Sequence, residues 1–226
     1  MHDYEEIKPN YLAIKLGLPL MVIFACALFL FSLARNDDNY TSIDTKGERI
    51  KYSIYYKYDG KIYAMIPSGG YYQVEGADAK TFKLVDSDPI YNNSVGVDKD
   101  HVYFGNQKID DLNAKTIKYI GNGYYSDGKN IYFCSNNSVR NPNLPVIVEA
   151  FQSIVYTLTN DKKPQSYIYP YQKLEGVKDL VKFDKLSFFA RSGNRLYYMG
   201  KALKNADPHT IRTVSEKGEF FCDAEN

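Results

Sequence analysis

The strongest constraint on this chain is an internal repeat that aligns without a gap: Val97 to Ile120, VDKDHVYFGNQKIDDLNAKTIKYI, lies over Arg191 to Val214, RSGNRLYYMGKALKNADPHTIRTV. Both copies carry a polar turn, an aliphatic-Tyr-aromatic triplet, a Gly-containing turn, an apolar residue, a small-acidic stretch and then Thr-Ile. A third copy opens at Tyr58-Asp59-Gly60-Lys61-Ile62-Tyr63 and closes with Gly76 to Val85, around a longer hairpin marked by Pro67-Ser68-Gly69-Gly70. A fourth opens with Asp127-Gly128-Lys129-Asn130-Ile131-Tyr132-Phe133 and loses the pattern between Asn136 and Pro145. A fifth, fainter copy is read at Ile168-Tyr169 and Gln172 to Val177. One such unit cannot bury a hydrophobic face alone, so the units must stack or close around shared cores.

Within a unit, Asp-Gly or Asp-Lys-Asp turns lead into Ile-Tyr or Val-Tyr-Phe strands, and Gly105-Asn106 or Gly200 turns the chain back, which is a β-hairpin signature. Asp207 then caps a short helical turn with Pro208 at its first position, where the missing N–H costs nothing. A further strand comes next, at Ile211 to Val214. Composition agrees: 22 Tyr and 12 Phe with no Trp favour half-buried strands. Leu, Lys and Glu do not recur at helical spacing beyond the first thirty-five positions, so helix is expected to be a minority. The predicted fold is mainly β, an N-terminal transmembrane helix followed by an antiparallel hairpin or meander array, either a propeller-like ring or an open stack.

Leu16 to Ala34, LGLPLMVIFACALFLFSLA, carries no charge and as a helix approaches the ~30 Å hydrocarbon thickness. Lys15 and Arg35 bracket it, and Pro19 lies near its start. The reading is an uncleaved single-pass anchor. A cleavable signal peptide is the rival, since Ser32-Leu33-Ala34 offers small residues at a cleavage site, but the leading tail is acidic where a secretory leader is basic. Lipidation at Cys26 fits poorly beside bulky Phe24. Flanking charges do not orient the segment; the large C-terminal part is placed outside the cytoplasm because a short N-terminal anchor serves to export the domain attached to it. The chain then divides into a tail over 1–15, the membrane segment over 16–34, a linker and first strand over 35–54, and the repeat domain over 55–226.

These motifs resemble the DKNYY family. Asp98-Lys99-Asp100-His101-Val102-Tyr103-Phe104 is the match to the name-giving element, Gly76 to Val85 matches the downstream Gly-Ala-Asp-x-x-Thr-Phe element, and Tyr197-Tyr198 restores the double tyrosine. The likeness covers roughly residues 58–214. It implies repeats and an exported bacterial protein; together with the anchor reading, the expected location is the bacterial cytoplasmic (inner) membrane with the C-terminal domain periplasmic or extracellular. The family's function is not established, and the resemblance supplies no catalytic residues.

Little in the chain suggests chemistry. His2, His101 and His209 share no repeat position, no Cys-x-x-Cys or paired-His spacing points to zinc, and no cofactor is expected. Asp98, Asp100, Asp110 and Asp111 read as turn residues, since a calcium loop needs more carboxylates at alternate positions. Glu75 and Glu175 occupy related hairpin-closing positions, with no sign that they converge as a hydrolase pair would. The net charge of +1 excludes the basic surplus of a nucleic-acid binder. Cys134 and Cys222 are the cysteines outside the apolar segment, open to a disulfide in an oxidising compartment or to remaining two buried thiols.

The tyrosine pairs Tyr55-Tyr56, Tyr71-Tyr72, Tyr124-Tyr125 and Tyr197-Tyr198 point to opposite sheet faces. Together with Tyr103, the outward members Tyr72, Tyr125 and Tyr198 are the candidate exposed ligand-binding aromatics. The functional expectation is a non-enzymatic, membrane-presented module that binds a protein partner, an immunity-like role being one version. The alternative is an enzyme or binding protein acting on envelope glycan, and a third reading is an envelope scaffold.

Overall fold

The computed structural model describes residues 11–34, 38–85, 94–184, 186–214 and 221–222. The tail up to residue 10, Arg35 and the expected strand residues Glu219 and Phe220 lie outside the described residues.

Each polar turn read in the sequence folds a strand back on its neighbour, and the result is a succession of four-stranded antiparallel sheets. Sheet 1 contains β1 (Glu48–Arg49), β2 (Tyr55–Tyr58), β3 (Lys61–Ile66) and β4 (Gly70–Gln73) in that order. Sheet 2 contains β5 (Lys83–Leu84), β6 (Val95–Val97), β7 (Val102–Phe104) and β8 (Gln107–Ile109). In sheet 3, β9 (Lys118–Gly121), β10 (Tyr124–Ser126) and β11 (Ile131–Cys134) are followed by an excursion through a two-stranded ribbon, β12 (Val139–Arg140) with β13 (Tyr167–Ile168), that encloses a helix. The chain returns as β14 (Tyr171–Lys173), which pairs with β11 and completes the sheet. Sheet 4 is β15 (Val181–Lys182), β16 (Phe189–Ser192), β17 (Arg195–Tyr198) and β18 (Lys201–Ala202), and β19 (Arg212–Thr213) pairs with β20 (Phe221–Cys222) beyond it.

Two features of the repeat reading change. The fourth copy and the Gln172 to Val177 part of the fifth belong to one sheet, parted by residues 135–170, because the pattern that fades at Asn136 resumes at β14, whereas Ile168 of the fifth copy lies in the ribbon strand β13. The sequence repeat is also out of phase with the sheets. Val97 to Ile120 starts at the end of β6 and finishes in β9, the edge strand of the next sheet. Each copy therefore fastens its own sheet to its successor.

The fastening is specific. The Asp98 carboxylate accepts the Asp100 and His101 N–H groups at 2.9 and 2.7 Å, closing its own turn, while its second oxygen accepts the Asp78 N–H at 3.0 Å and the Tyr103 hydroxyl at 2.8 Å. Asp78 in turn caps Lys80 and Thr81. The same clamp recurs at the next junction, where Asp127 accepts from Lys129, Asn130 and the Asn113 N–H at 2.8, 2.7 and 3.0 Å. The Asp-Lys-x turn and the Ala-Asp-x-x-Thr element are thus two halves of one hydrogen-bonded joint. Burial alone would raise the Asp98 and Asp127 pKa values, but the converging N–H donors outweigh it and hold both below the usual carboxylate range.

Hydrophobic clusters follow the same succession. Tyr55, Ile62 and Tyr72 pack with Leu84 and Tyr103 between sheets 1 and 2, and Val95, Val102 and Phe104 pack with Tyr125 and Tyr132 between sheets 2 and 3. Tyr124 and Phe133 pack with Ala190 and Tyr197 between sheets 3 and 4, and Phe189 and Leu196 pack with Ile211 beyond. Among the described residues no cluster joins the first sheet to the last. Tyrosine hydroxyls bridge the interfaces: that of Tyr55 donates to the Ser94 carbonyl at 2.7 Å, with the Gly105 carbonyl at 3.0 Å. The hydroxyl of Tyr124, at the equivalent position two sheets on, donates to the Phe188 carbonyl at 3.2 Å and accepts the Gly200 N–H at 3.0 Å. Gly105 sits at φ +56° with a Tyr169 ring carbon 2.5 Å from where a Cβ would stand, so both backbone shape and space require glycine there.

Among the described residues three helices accompany the sheets. α1 (Tyr11–Ala34) covers the whole uncharged run. Its side chains are described continuously from 15 to 28 only, and among the described residues no helix is long and apolar enough to cross a membrane. α2 (Asp38–Lys46), within the expected linker, docks on sheet 1 and buries Ile43. α3 (Val146–Thr159) lies in the excursion of sheet 3. It corrects the expectation that helical spacing stops after residue 35, since Ile147, Phe151, Ile154 and Leu158 form a helical stripe; its many β-branched residues disguise it as strand.

Candidate functional site

The expected row of exposed tyrosines is absent from the surface. Tyr72, Tyr103 and Tyr125 are all buried, and Tyr198 is half-buried with its ring centroid 4.8 Å from that of Phe189. The alternation of side chains is as expected; what differs is that sheets cover both faces of the central strands. Every residue of β6, β7 and β11 is buried, the pattern of a sheet enclosed on two sides. Both members of the pairs Tyr71-Tyr72 and Tyr124-Tyr125 are buried.

Accessible tyrosines gather elsewhere. The Asp59-Gly60 turn, with both residues at positive φ, pairs Tyr58 with Lys61 and sets Tyr63 diagonally across from Tyr58, their ring centroids 6.4 Å apart. These half-buried rings form part of the lining of a cleft of about 480 Å³ bounded by sheet 1, Ile43 of α2, Tyr156 in the last turn of α3 and residues 160–165 after it. Tyr71 and Tyr156 also line it. Tyr71 donates to the Asp44 carboxylate at 3.0 Å and meets the Tyr56 ring edge-on at 5.0 Å. Glu75 and Lys162 pair at 2.6 Å, tying the segment after α3 to the end of sheet 1, and the Lys163 ammonium stands 5.7 Å from the Tyr72 ring. Tyr72, among the expected ligand residues, does reach this cleft wall, while Tyr103, Tyr125 and Tyr198 do not line it.

Burial is the first cause that pushes the phenols of Tyr63, Tyr71 and Tyr72 above the ordinary tyrosine value, so at neutral pH they are un-ionised, flat-faced hydrogen-bonding groups. The cleft offers aromatic faces, the amides of Gln73, Asn160 and Gln165, and one ion pair. This suits contact with a polypeptide or a sugar. Tyr58, Tyr63 and Tyr156 escape a search for adjacent tyrosines; the two-residue turn between Tyr58 and Lys61 is the signal that places the first two together.

The remaining sequence candidates are dispersed. Glu75 and Glu175 each follow the last strand of their own sheet, the first and the third. His101 flanks the Asp98 turn with its Nδ1 3.7 Å from the carboxylate, and the Asp207 carboxylate accepts the His209 N–H. Among the described residues no group of His, Cys, Asp and Glu could hold a metal ion. The possible Cys134–Cys222 bridge is not formed: Cys134 is buried between sheets 2 and 3 beside Ser94, its thiol pushed up to about 12 by desolvation, and Cys222 sits in the last strand pair. The two cysteines belong to different sheets. A second cleft, of about 990 Å³, is lined by Lys115, Lys118, Lys129 and Lys178 at the edges of sheets 3 and 4, with the Asp127 carboxylate already occupied by backbone N–H groups.

The DKNYY family model matches residues 55–226. No curated protein and no solved structure matches the chain.

Proposed function

Because the chain belongs to the DKNYY family, we propose that it is a membrane-anchored, extracytoplasmic β-repeat protein that acts without catalysis, by binding a protein partner. α1 is read as the single-pass anchor in the bacterial cytoplasmic membrane, with the sheets on the exported side. Its described side chains support this, since Leu16, Met21, Ile23 and Phe24 are each at least 60% exposed along the uncharged run that follows Lys15, a surface that water does not favour and lipid does.

The observation that carries the binding reading is the tyrosine cleft. Un-ionised phenols beside a Glu–Lys pair form the kind of rigid, amphipathic patch that protein interfaces use, because tyrosine supplies large contact area at small entropic cost. The clamped sheets behind it keep that patch preorganised.

The test is in-cell photo-crosslinking of the full-length protein with a benzophenone amino acid in place of Tyr63. The reading expects one discrete protein adduct, lost in the Tyr58→Ala variant and in a chain lacking residues 1–34. Adducts with glycan only would favour the alternative of an envelope-polymer ligand, and absence of any adduct would refute the cleft as a binding surface.

A further inference from the structure

We infer that α3 is a second membrane element, its apolar face seated in the lipid leaflet beside α1, so that the sheets are held down on the membrane surface and not merely tethered to it. This rests on the reading of α1 as an anchor.

α3 is amphipathic in the reverse sense to a helix that belongs to a water-facing domain. Its apolar stripe faces outward: Ile147 is 84% exposed, Phe151 68% and Leu158 57%. Its more covered positions are Glu149, Ser153, Tyr156 and Thr157, one helical face of mostly polar residues turned toward the protein. No residue of the helix is buried. In water the domain would gain by rotating such a helix to bury the apolar stripe. The observed orientation is the favourable one only if the surroundings of the stripe are themselves apolar.

The hydroxyls of Ser153, Thr157 and Thr159 and the one carboxylate of α3 are satisfied within the protein; the exposed Gln152 is the polar side chain left for the headgroup boundary. Ser153 donates to the Glu149 carbonyl at 2.8 Å, Thr157 to the Ser153 carbonyl at 2.8 Å and Thr159 to the Val155 carbonyl at 2.9 Å. Glu149, the single charge on the helix, is paired with Arg140. The left-handed Asn160 at the C-terminal end donates its N–H to the Tyr156 carbonyl at 2.7 Å. Internal satisfaction of this kind is what a low-dielectric solvent demands.

Lipid is the occupant because α3 contacts α1, which sets its outward stripe beside the apolar surface of the proposed anchor. A helix of 14 residues is about 21 Å long, too short for a hydrocarbon core of ~30 Å, so it lies along the leaflet instead of crossing it. The expected depth is roughly 5–10 Å below the headgroup boundary. The tyrosine cleft, which includes Tyr156 and Asn160 in its lining, then opens close to the membrane surface, where the accessible part of a partner is its membrane-proximal segment.

The chain has no tryptophan, so a single indole reports a single position. Full-length I147W, F24W and V181W variants would be reconstituted into phosphatidylethanolamine–phosphatidylglycerol vesicles containing lipid brominated either near the headgroup or near the chain end. All three positions are exposed, so the substitutions leave the packing intact. The inference expects I147W emission to be quenched several-fold more by the shallow bromines than by the deep ones, F24W to be quenched in both vesicle types, and V181W in neither. Quenched F24W with unquenched, red-emitting I147W would overturn the seating of α3 and leave the anchor standing. Unquenched but blue-shifted I147W would overturn it in favour of a protein or a second copy as the covering surface. Unquenched F24W would overturn the anchor reading itself, whichever way I147W behaves.

Discussion

Replacing Asp98 with alanine removes four hydrogen bonds at one atom pair, and the structure separates those that matter from those water can replace. The turn amides of Asp100 and His101 lie beside exposed side chains and can be rehydrated. The Tyr103 hydroxyl belongs to a fully buried residue, and the Asp78 N–H faces a carboxylate whose residue is only 5% exposed. Two stranded donors at about 1–3 kcal/mol each place D98A near 3 kcal/mol after partial relaxation. Y103F removes the phenol but leaves three N–H donors on the carboxylate, at about 1 kcal/mol. The double variant should cost less than the two single costs together by about 1 kcal/mol, because the orphaned phenol is then gone. D127A is an internal control: the same amide clamp is present, but the nearby Tyr132 hydroxyl goes to Asp111 at 2.5 Å, so its cost should fall below that of D98A. Urea unfolding of the full chain in mild detergent, followed by circular dichroism, would read D98A as a midpoint drop of about 1.5 M at a slope near 2 kcal/mol/M. If D98A and Y103F add to within about 0.5 kcal/mol, or D98A and D127A cost the same, the buried phenol–carboxylate bond is not the source of the effect.

Acid should loosen the same joints. Asp98, Asp111 and Asp127 all have folded pKa values below their unfolded ones, so their contribution is fully present above the unfolded value of about 3.9 and is lost as pH falls through the lower folded values; a melting temperature that did not fall between about pH 5 and pH 2 would contradict this. Y124F strands the Gly200 N–H in the interface of sheets 3 and 4 and should cost about 1–2 kcal/mol in the same unfolding assay, whereas Y58F, on the open cleft, should leave stability unchanged. In native thiol labelling followed by mass spectrometry, Cys134 should stay unmodified after Cys222 has reacted, because it is buried and its thiol is raised to about 12; early labelling of Cys134, or a Cys134–Cys222 linkage under non-reducing conditions, would contradict its placement.

The local elements were legible because their signals are local. The Asp59-Gly60 turn, the Val102-Tyr103-Phe104 strand, the Asp207-Pro208 turn and the uncharged Leu16–Ala34 helix each follow from residues within one turn of themselves. The repeat itself demanded stacking, since a lone hairpin cannot bury its own face. What lay beyond reach depended on the third dimension. Whether Tyr72, Tyr103 and Tyr125 faced water turned on what covered the second face of their sheets, and that cover comes from a neighbouring unit in the case of Tyr103 and Tyr125, and from the excursion of sheet 3 in the case of Tyr72. The joining of two faint copies into sheet 3 depended on β14 returning across residues 135–170, a distance over which strand pairing leaves no periodic trace. The clamp between Asp98 and Asp78 was visible as two separate motifs, and only their meeting in space showed them to be one joint. α3 lay furthest from view: its β-branched residues hid the helix itself, and even where hydrophobic periodicity does identify an apolar stripe, only packing decides whether that stripe faces the protein or its surroundings.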